Sequence, residues 1–321
     1  MPTLKEIKGR IASVQNTLKI TSAMKLVSSA KLRKAQTAIE NMLPYQTALQ
    51  RILTTALASS GADSVVLSTK KAENVDGEAK MAVPSTKRAE NVDGEAEMAV
   101  PSTKRAENVD GGPGRVAVVA IASNSSLCGC FNATAVTKVK GQLKQYPDAE
   151  VYSIGRKMAD AMRKAGHPSP ADFTSLSEHP AYAPCSQLAE QLMEDFEKGR
   201  LSRVFLVYNH YVSTAKQVPT VETFLPAALP EGKADALPAD VILEPSARKL
   251  LEELLPKAQK LKLYTTLLDS AAAEHAARTV AMQTATDNGE ELLEELTLQY
   301  NKGRQQKITS EILDLAGGQN N

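Results

Sequence analysis

Four histidines, three cysteines and one polar turn are where chemistry in this chain would have to start. His167, His179, His210 and His275 are scattered with no i, i+4 pair, so they offer no ready metal or acid–base constellation. Cys128 and Cys130 form C-x-C, and Cys185 stands apart. That is neither a disulfide framework nor zinc-ligand spacing, and it reads as small buried thiols in a reducing compartment. Cys128 with a remote histidine would make a nucleophile pair in principle, but nothing beside it in sequence activates a thiolate. The turn Ser123-Asn124-Ser125-Ser126-Leu127-Cys128-Gly129-Cys130-Phe131-Asn132 has the polar start and the glycine to hold an anion at a helix N-terminus. The routine alternative is a strand-to-helix turn capped by Asn132 or Ser126. No G-x-x-x-x-G-K-S/T is present, and Gly111–Gly114 precedes a strand where a dinucleotide fingerprint must follow one. These residues therefore name no catalytic group, no metal site and no cofactor.

The elements around them carry more information. Leu4, Ile7, Ile11, Val14 and Leu18 recur at alternating three- and four-residue steps, the seam of a coiled coil, and predict a helix from about Leu4 to about Ala58. Pro44 predicts a kink or break in it near Leu43–Tyr45. At the other end Leu293, Leu296, Tyr300, Ile308, Ile312 and Leu315 keep a helical period, with a small-residue surface at Ala271, Ala272, Ala273, Ala276, Ala277, Ala281 and Ala285. Ala247–Leu255 resumes helix before it, and Pro256 predicts a kink at its entry. Between the two, Arg115–Ala122, Glu150–Ile154, Val204–Asn209 and Val218–Leu225 read as strands. Helices are expected at Asn132–Tyr146, Arg156–Ala165 and Gln187–Lys198. Alternation of strand and helix predicts an α/β domain with a largely parallel sheet. The fold class expected is α/β: a long antiparallel coiled coil of the N- and C-terminal helices plus a central Rossmann-like α/β domain. The division expected is 1–59 N-terminal helix, 60–114 insertion, 115–245 α/β domain and 246–321 C-terminal helix.

The insertion contains a 17-residue repeat: STKKAENVDGEAKMAVP (68–84) returns at 85–101 and begins again at 102–111. Its copies are short of apolar residues and end in proline, so it is expected to remain largely disordered. The net charge is +1, but residues 1–35 hold eight Lys/Arg against Glu6 alone, a stripe that attracts an acidic partner. Aromatic residues are only 4%, which disfavours an all-β sandwich. No apolar run reaches the ~20 residues of a membrane span, and no secretory leader is expected ahead of the first amphipathic turn.

Three blocks resemble the gamma subunit of F-type ATP synthases: LKEIKGRIASVQNTLKITSAMKLVSSAKLRKAQ (4–36); SNSSLCGCFN (123–132) with VFLVYNHYVSTAKQVPT (204–220) and EPSARKLLEELLP (244–256); and EHAARTVAMQTATDNGEELLEELTLQYNKGRQQKITSEILDLAGG (274–318). The resemblance implies a rotating central stalk that couples proton flow through a membrane ring of c subunits to ATP synthesis or hydrolysis on an alpha/beta hexamer. It implies partners alpha, beta, epsilon and the c-ring, no nucleic acid, no catalytic residue and no cofactor. It also implies a peripheral place on the cytoplasmic face of a bacterial inner membrane. By position it assigns torque and coupling contacts with beta to Met24, Lys25, Arg278, Arg304, Gln305, Thr309 and Glu311. It assigns an upper bearing to Leu313 and Leu315, and a contact on the c-ring or epsilon side to Tyr208, Asn209 and Tyr211. The turn at 124–130 departs from the family pattern, the repeats are not a family feature, and the chloroplast type's redox-cysteine insertion is absent. The competing classes are a basic-helix nucleic-acid binder, disfavoured by the heptad seam and acidic final helix, and a stand-alone α/β enzyme, disfavoured by the missing phosphate motif.

Overall fold

The computed structural model describes residues 3–59, 114–227, 244 and 246–317. The repeat insertion and the proline-rich stretch 226–245 lie almost wholly outside the described residues. The elements run α1 (Leu4–Ser59), β1 (Arg115–Ile121), α2 (Phe131–Gln145), β2 (Glu150–Ile154), α3 (Arg156–Lys164), α4 (Thr174–Glu178), α5 (Tyr182–Glu197), β3 (Leu201–Tyr211), β4 (Gln217–Leu225) and α6 (Ala247–Gly317).

Helix α1 starts on a capping box. The Thr3 N–H donates to Glu6 Oε2 at 2.9 Å and the Glu6 N–H donates to Thr3 Oγ1 at 3.3 Å, satisfying two otherwise orphaned donors. Its 56 residues span about 84 Å, and the 71 of α6 about 107 Å. Neither proline breaks its helix: α1 continues through Pro44 and α6 through Pro256. The carbonyls each ring deprives of a partner, at Glu40 and Glu252, belong to exposed residues rather than to the buried seam. The two helices lie antiparallel. Leu4 meets Gly303, Leu18 meets Gly289, and Leu32 packs on Ala272 and Ala276. At the far end Leu49, Leu53 and Ala56 close against Leu251, Leu255 and Leu261.

The sheet has the order β2-β1-β3-β4, parallel except for β3 against β4. Strand β1 is buried on both faces, which is why its sequence is continuously apolar rather than alternating. Ala117, Val119 and Ile121 face Leu188 and Leu192 of α5 and Leu263 and Leu267 of α6. Val118 and Ala120 face Val139 of α2 and Met158 and Met162 of α3. Helix α6 is thus both half of the helical pair and one layer of the α/β core. Helix α5 begins at Tyr182, ahead of the expected Gln187, because Pro184 sits in its first turn, where the missing N–H costs no bond. The short α4 has no periodic signal and was not expected.

Gly155 joins β2 to α3 at φ 98, and a Cβ there would overlap the Ala122 carbonyl. Gly155→Ala is expected to destabilise the chain by at least about 2 kcal/mol in denaturant unfolding, since backbone rather than a side chain must move. An unchanged midpoint would contradict this packing.

Candidate functional site

Helix α6 is fastened to the ends of the sheet by two polar junctions. At the first, the Asp269 carboxylate accepts the Tyr211 backbone N–H at 3.0 Å through Oδ1 and meets His210 Nδ1 at 2.6 Å through Oδ2. Burial holds the Asp269 pKa above the usual carboxylate value, against the lowering pull of those bonds. Gln36 of α1 donates to the Tyr211 hydroxyl at 2.9 Å, so both long helices grip the same end of β3. At the second junction Arg278 Nη1 donates to Glu274 Oε1 at 2.7 Å, one helical turn away, and Nη2 donates to Ser125 Oγ at 2.8 Å. The pair is nearly sealed from solvent, with side chains 9% and 10% exposed. Burial raises the Glu274 pKa against the lowering effect of Arg278. It also pushes His275 down to about 4, with the Arg278 and Lys31 charges adding to the effect.

Arg278 ends in the polar turn that follows β1. Asn132 does not cap α2 there. Its Oδ1 accepts from the Ser123 N–H at 3.1 Å and from Ser123 Oγ at 2.9 Å, and its Nδ2 donates to Cys128 Sγ at 3.1 Å. Ser126 does not cap it either, since the N-cap residue is Cys130, without a side-chain cap bond. Asn124 accepts the Arg156 N–H and donates to the Thr174 carbonyl, both at 2.9 Å. The end of the parallel strands, where open α/β sheets hold ligands, is occupied here by the chain's own side chains and by α6. Among the described residues no cluster of metal-ligating groups is present, and no helix is long and apolar enough to cross a membrane.

The residues singled out from sequence fall into two groups. Arg278, Tyr208 and Asn209 are turned inward: Tyr208 donates to Glu222 Oε1 at 2.8 Å, and Asn209 donates to the Phe131 carbonyl at 2.9 Å. Tyr211, the last residue of β3, is half-buried against α1 and α6. Met24 and Lys25 are half-buried, next to the exposed Leu26 and Val27. Arg304, Gln305, Thr309, Glu311 and Leu313 are exposed, on a stretch of α6 that has run past the first turn of α1. Leu315 is in the last helical turns, with its side chain outside the described set. Asp269 and Glu274 were not anticipated, and Ser125 was named only as one residue of the polar turn. The i, i+4 spacing of Glu274 and Arg278 was the one available signal, while Ser125 and Asp269 meet their partners only through the fold.

A family model described as ATP synthase matches residues 3–321. The ATP synthase gamma chain of Phocaeicola vulgatus is 45% identical, over 99% of this chain and 99% of its own length. The chain belongs to the ATP synthase gamma-chain family. The gamma chain of Parabacteroides distasonis is 40% identical over 99% of this chain and 98% of its own. Among solved structures, a chain of the Euglena gracilis mitochondrial ATP synthase superposes with a TM-score of 0.55 at 18% identity, covering 98% of this chain and 93% of that one, a likeness of fold. Membership makes this chain the rotating-stalk subunit of an F-type ATP synthase. A gamma chain built this way has a shaft, α1 with α6, and a sheet domain locked to it by Asp269 and Arg278.

Removing Arg278 leaves the Glu274 carboxylate buried without its cation. Arg278→Leu is expected to lower the unfolding free energy of the isolated chain by about 3 kcal/mol or more, and Ser125→Ala by about 1 kcal/mol. Equal small effects would show that the pair is solvated. His275 has a folded pKa of about 4, below its ordinary 6.5. Its contribution to stability is therefore complete above pH 6.5 and is lost as the pH falls from there toward 4. The melting temperature of the parent should fall across that window more steeply than that of His275→Gln; parallel profiles would contradict a buried neutral imidazole.

Proposed function

We propose that the exposed run Arg304–Leu313 of α6 and the Met24–Lys25 stretch of α1 are the surfaces through which this gamma chain drives, and is driven by, the alpha/beta hexamer. One observation carries this reading: α6 outlasts its partner, leaving Arg304, Gln305, Thr309, Glu311 and Leu313 exposed on a single helix. Ile308, Ile312 and Leu313 are apolar side chains at 43%, 59% and 65% exposure, more than a free helix end has reason to present to water. In an enclosing sleeve of alpha and beta they become contacts. Leu313 and Leu315 form the bearing, and Arg304, Gln305, Thr309 and Glu311 form the polar grip below it. The basic stripe of α1, with Lys25 in it, opposes carboxylates of beta.

The division of the chain follows these roles, with 1–59 and 246–321 as the shaft, 115–245 as the foot and 60–114 as an insertion outside the torque path. The foot bears on epsilon and on the c-ring, at the cytoplasmic face of a bacterial inner membrane, and the β3–β4 end around Tyr211 lies toward that side. Arg278 acts from within by holding the foot to the shaft, while Tyr208 and Asn209 brace β3 inside the foot, against β4 and α2. Proton movement through the ring turns foot and shaft together. ATP forms on beta, so this chain supplies no catalytic group and needs no cofactor.

Co-expression with the cognate alpha and beta chains is expected to give a stable complex. Truncation after Lys302 should leave that association intact while lowering ATP hydrolysis several-fold. Failure of the full chain to associate would remove the reading, and full activity of the truncated complex would move the grip away from Arg304–Leu313.

A further inference from the structure

Glycine inside a helix lowers its stability relative to alanine, so an interior glycine calls for a packing reason. Gly289 and Gly303 of α6 each have one. A Cβ at Gly289 would lie 2.7 Å from Leu18 Cδ2 and 3.3 Å from Leu18 Cγ, and one at Gly303 would lie 3.2 Å from Leu4 Cδ2. Gly9 of α1 has nothing within 4 Å of the same position, so this closeness is particular to the two α6 sites. Leu4 and Leu18 are fourteen residues apart, as are Gly289 and Gly303. Two leucine knobs on one helix therefore enter two glycine holes on the other, two heptads apart. Three residues beyond the Leu18–Gly289 contact on each helix, Thr286 Oγ1 donates to Thr21 Oγ1 at 2.9 Å, a directional bond in the same register.

The alternatives to this register are blocked. Sliding α1 by one heptad would bring Leu18 opposite Leu296 or Met282, which are 6% and 5% exposed and already fill the seam. A seam of leucine, isoleucine and methionine alone would tolerate such slips, whereas knobs matched to holes do not. A slip of one heptad moves one helix about 10.5 Å along the other.

We propose that Gly289 and Gly303 are positioning residues that fix the register of α1 on α6, and with it the placement of the Met24–Lys25 face relative to the Arg304–Gln305 face. These faces lie beside the fixed points: Met24 and Lys25 follow Thr21 by three and four residues, and Arg304 and Gln305 follow Gly303 directly. The functional half of this inference rests on the coupling contacts proposed above; the register itself does not.

The test uses a reporter and a swap. Thr21→Cys with Thr286→Cys places two thiols where hydroxyls now touch, and mild oxidation should cross-link them almost completely, read on a non-reducing gel. Gly289→Leu in that background should cut the yield at least fivefold, although leucine is the better helix former. Adding Leu18→Gly moves the knob to α6 and the hole to α1, and should restore the yield. In inverted vesicles carrying the whole ATP synthase, without the reporter cysteines, the ratio of ATP-driven proton uptake to ATP hydrolysis should fall at least twofold with Gly289→Leu and recover in the swap. Undiminished cross-linking in Gly289→Leu would overturn the register assignment. Lower cross-linking with an unchanged pumping ratio would overturn the functional half. If Gly289→Leu alone yields no folded chain, the swap decides, and a cross-link yield below half the parent's overturns the proposal. A parent chain that cross-links but does not join alpha and beta counts against the coupling contacts and leaves the register standing.

Discussion

The antiparallel pairing of α1 with α6 is the constraint on which the rest of this molecule depends. Neither helix could persist at such length on propensity alone, because most helical stability in water comes from burying one face against a partner. Each is the other's partner from Leu4 at Gly303 to Leu53 and Ala56 at Leu251 and Leu255. The pairing survives a proline in each helix because packing continues on both sides of it. It also decides where pairing ends. Past Gly303, α6 continues without α1, and the residues proposed to meet the catalytic subunits are those left uncovered.

Torque delivered to the sheet domain reaches the shaft only if the two cannot slide. Apolar contact resists separation but is not directional, so direction comes from polar groups. Leu263 and Leu267 place α6 inside the sheet's core, and Asp269, Glu274 and Arg278 then fix it to β3 and to the turn after β1. The crevice at the ends of the parallel strands is spent on this attachment. A sheet end of the kind that elsewhere cradles nucleotides here holds a helix.

The long helices and the strands were legible in the sequence because their signals are periodic. The seam Leu4–Leu18 keeps a heptad period, and Arg115–Ile121 is a short run rich in valine and isoleucine that follows the turn signal Gly111–Gly114. The expected strand Glu150–Ile154 matches β2 end to end. Neither Pro44 nor Pro256 ends its helix, since packing against the partner helix continues on both sides of each ring. The attachment was less legible. Arg278 stood out only through family resemblance, and its inward turn toward Ser125, 153 residues away in sequence, depends on the sheet being built first. Tyr208 and Asn209 fall in a run that reads as a strand and owed their contact role to resemblance alone; they are buried because β3 is an inner strand.

The most direct test of the rotating-shaft account uses the exposed thiol of Cys130, which lies on the sheet domain away from the shaft tip. An alpha/beta/gamma complex immobilised through its beta chains would carry a bead on that thiol and be supplied with ATP. The account requires stepwise rotation of the bead in one direction while ATP is hydrolysed. Sustained hydrolysis with a stationary bead would contradict it.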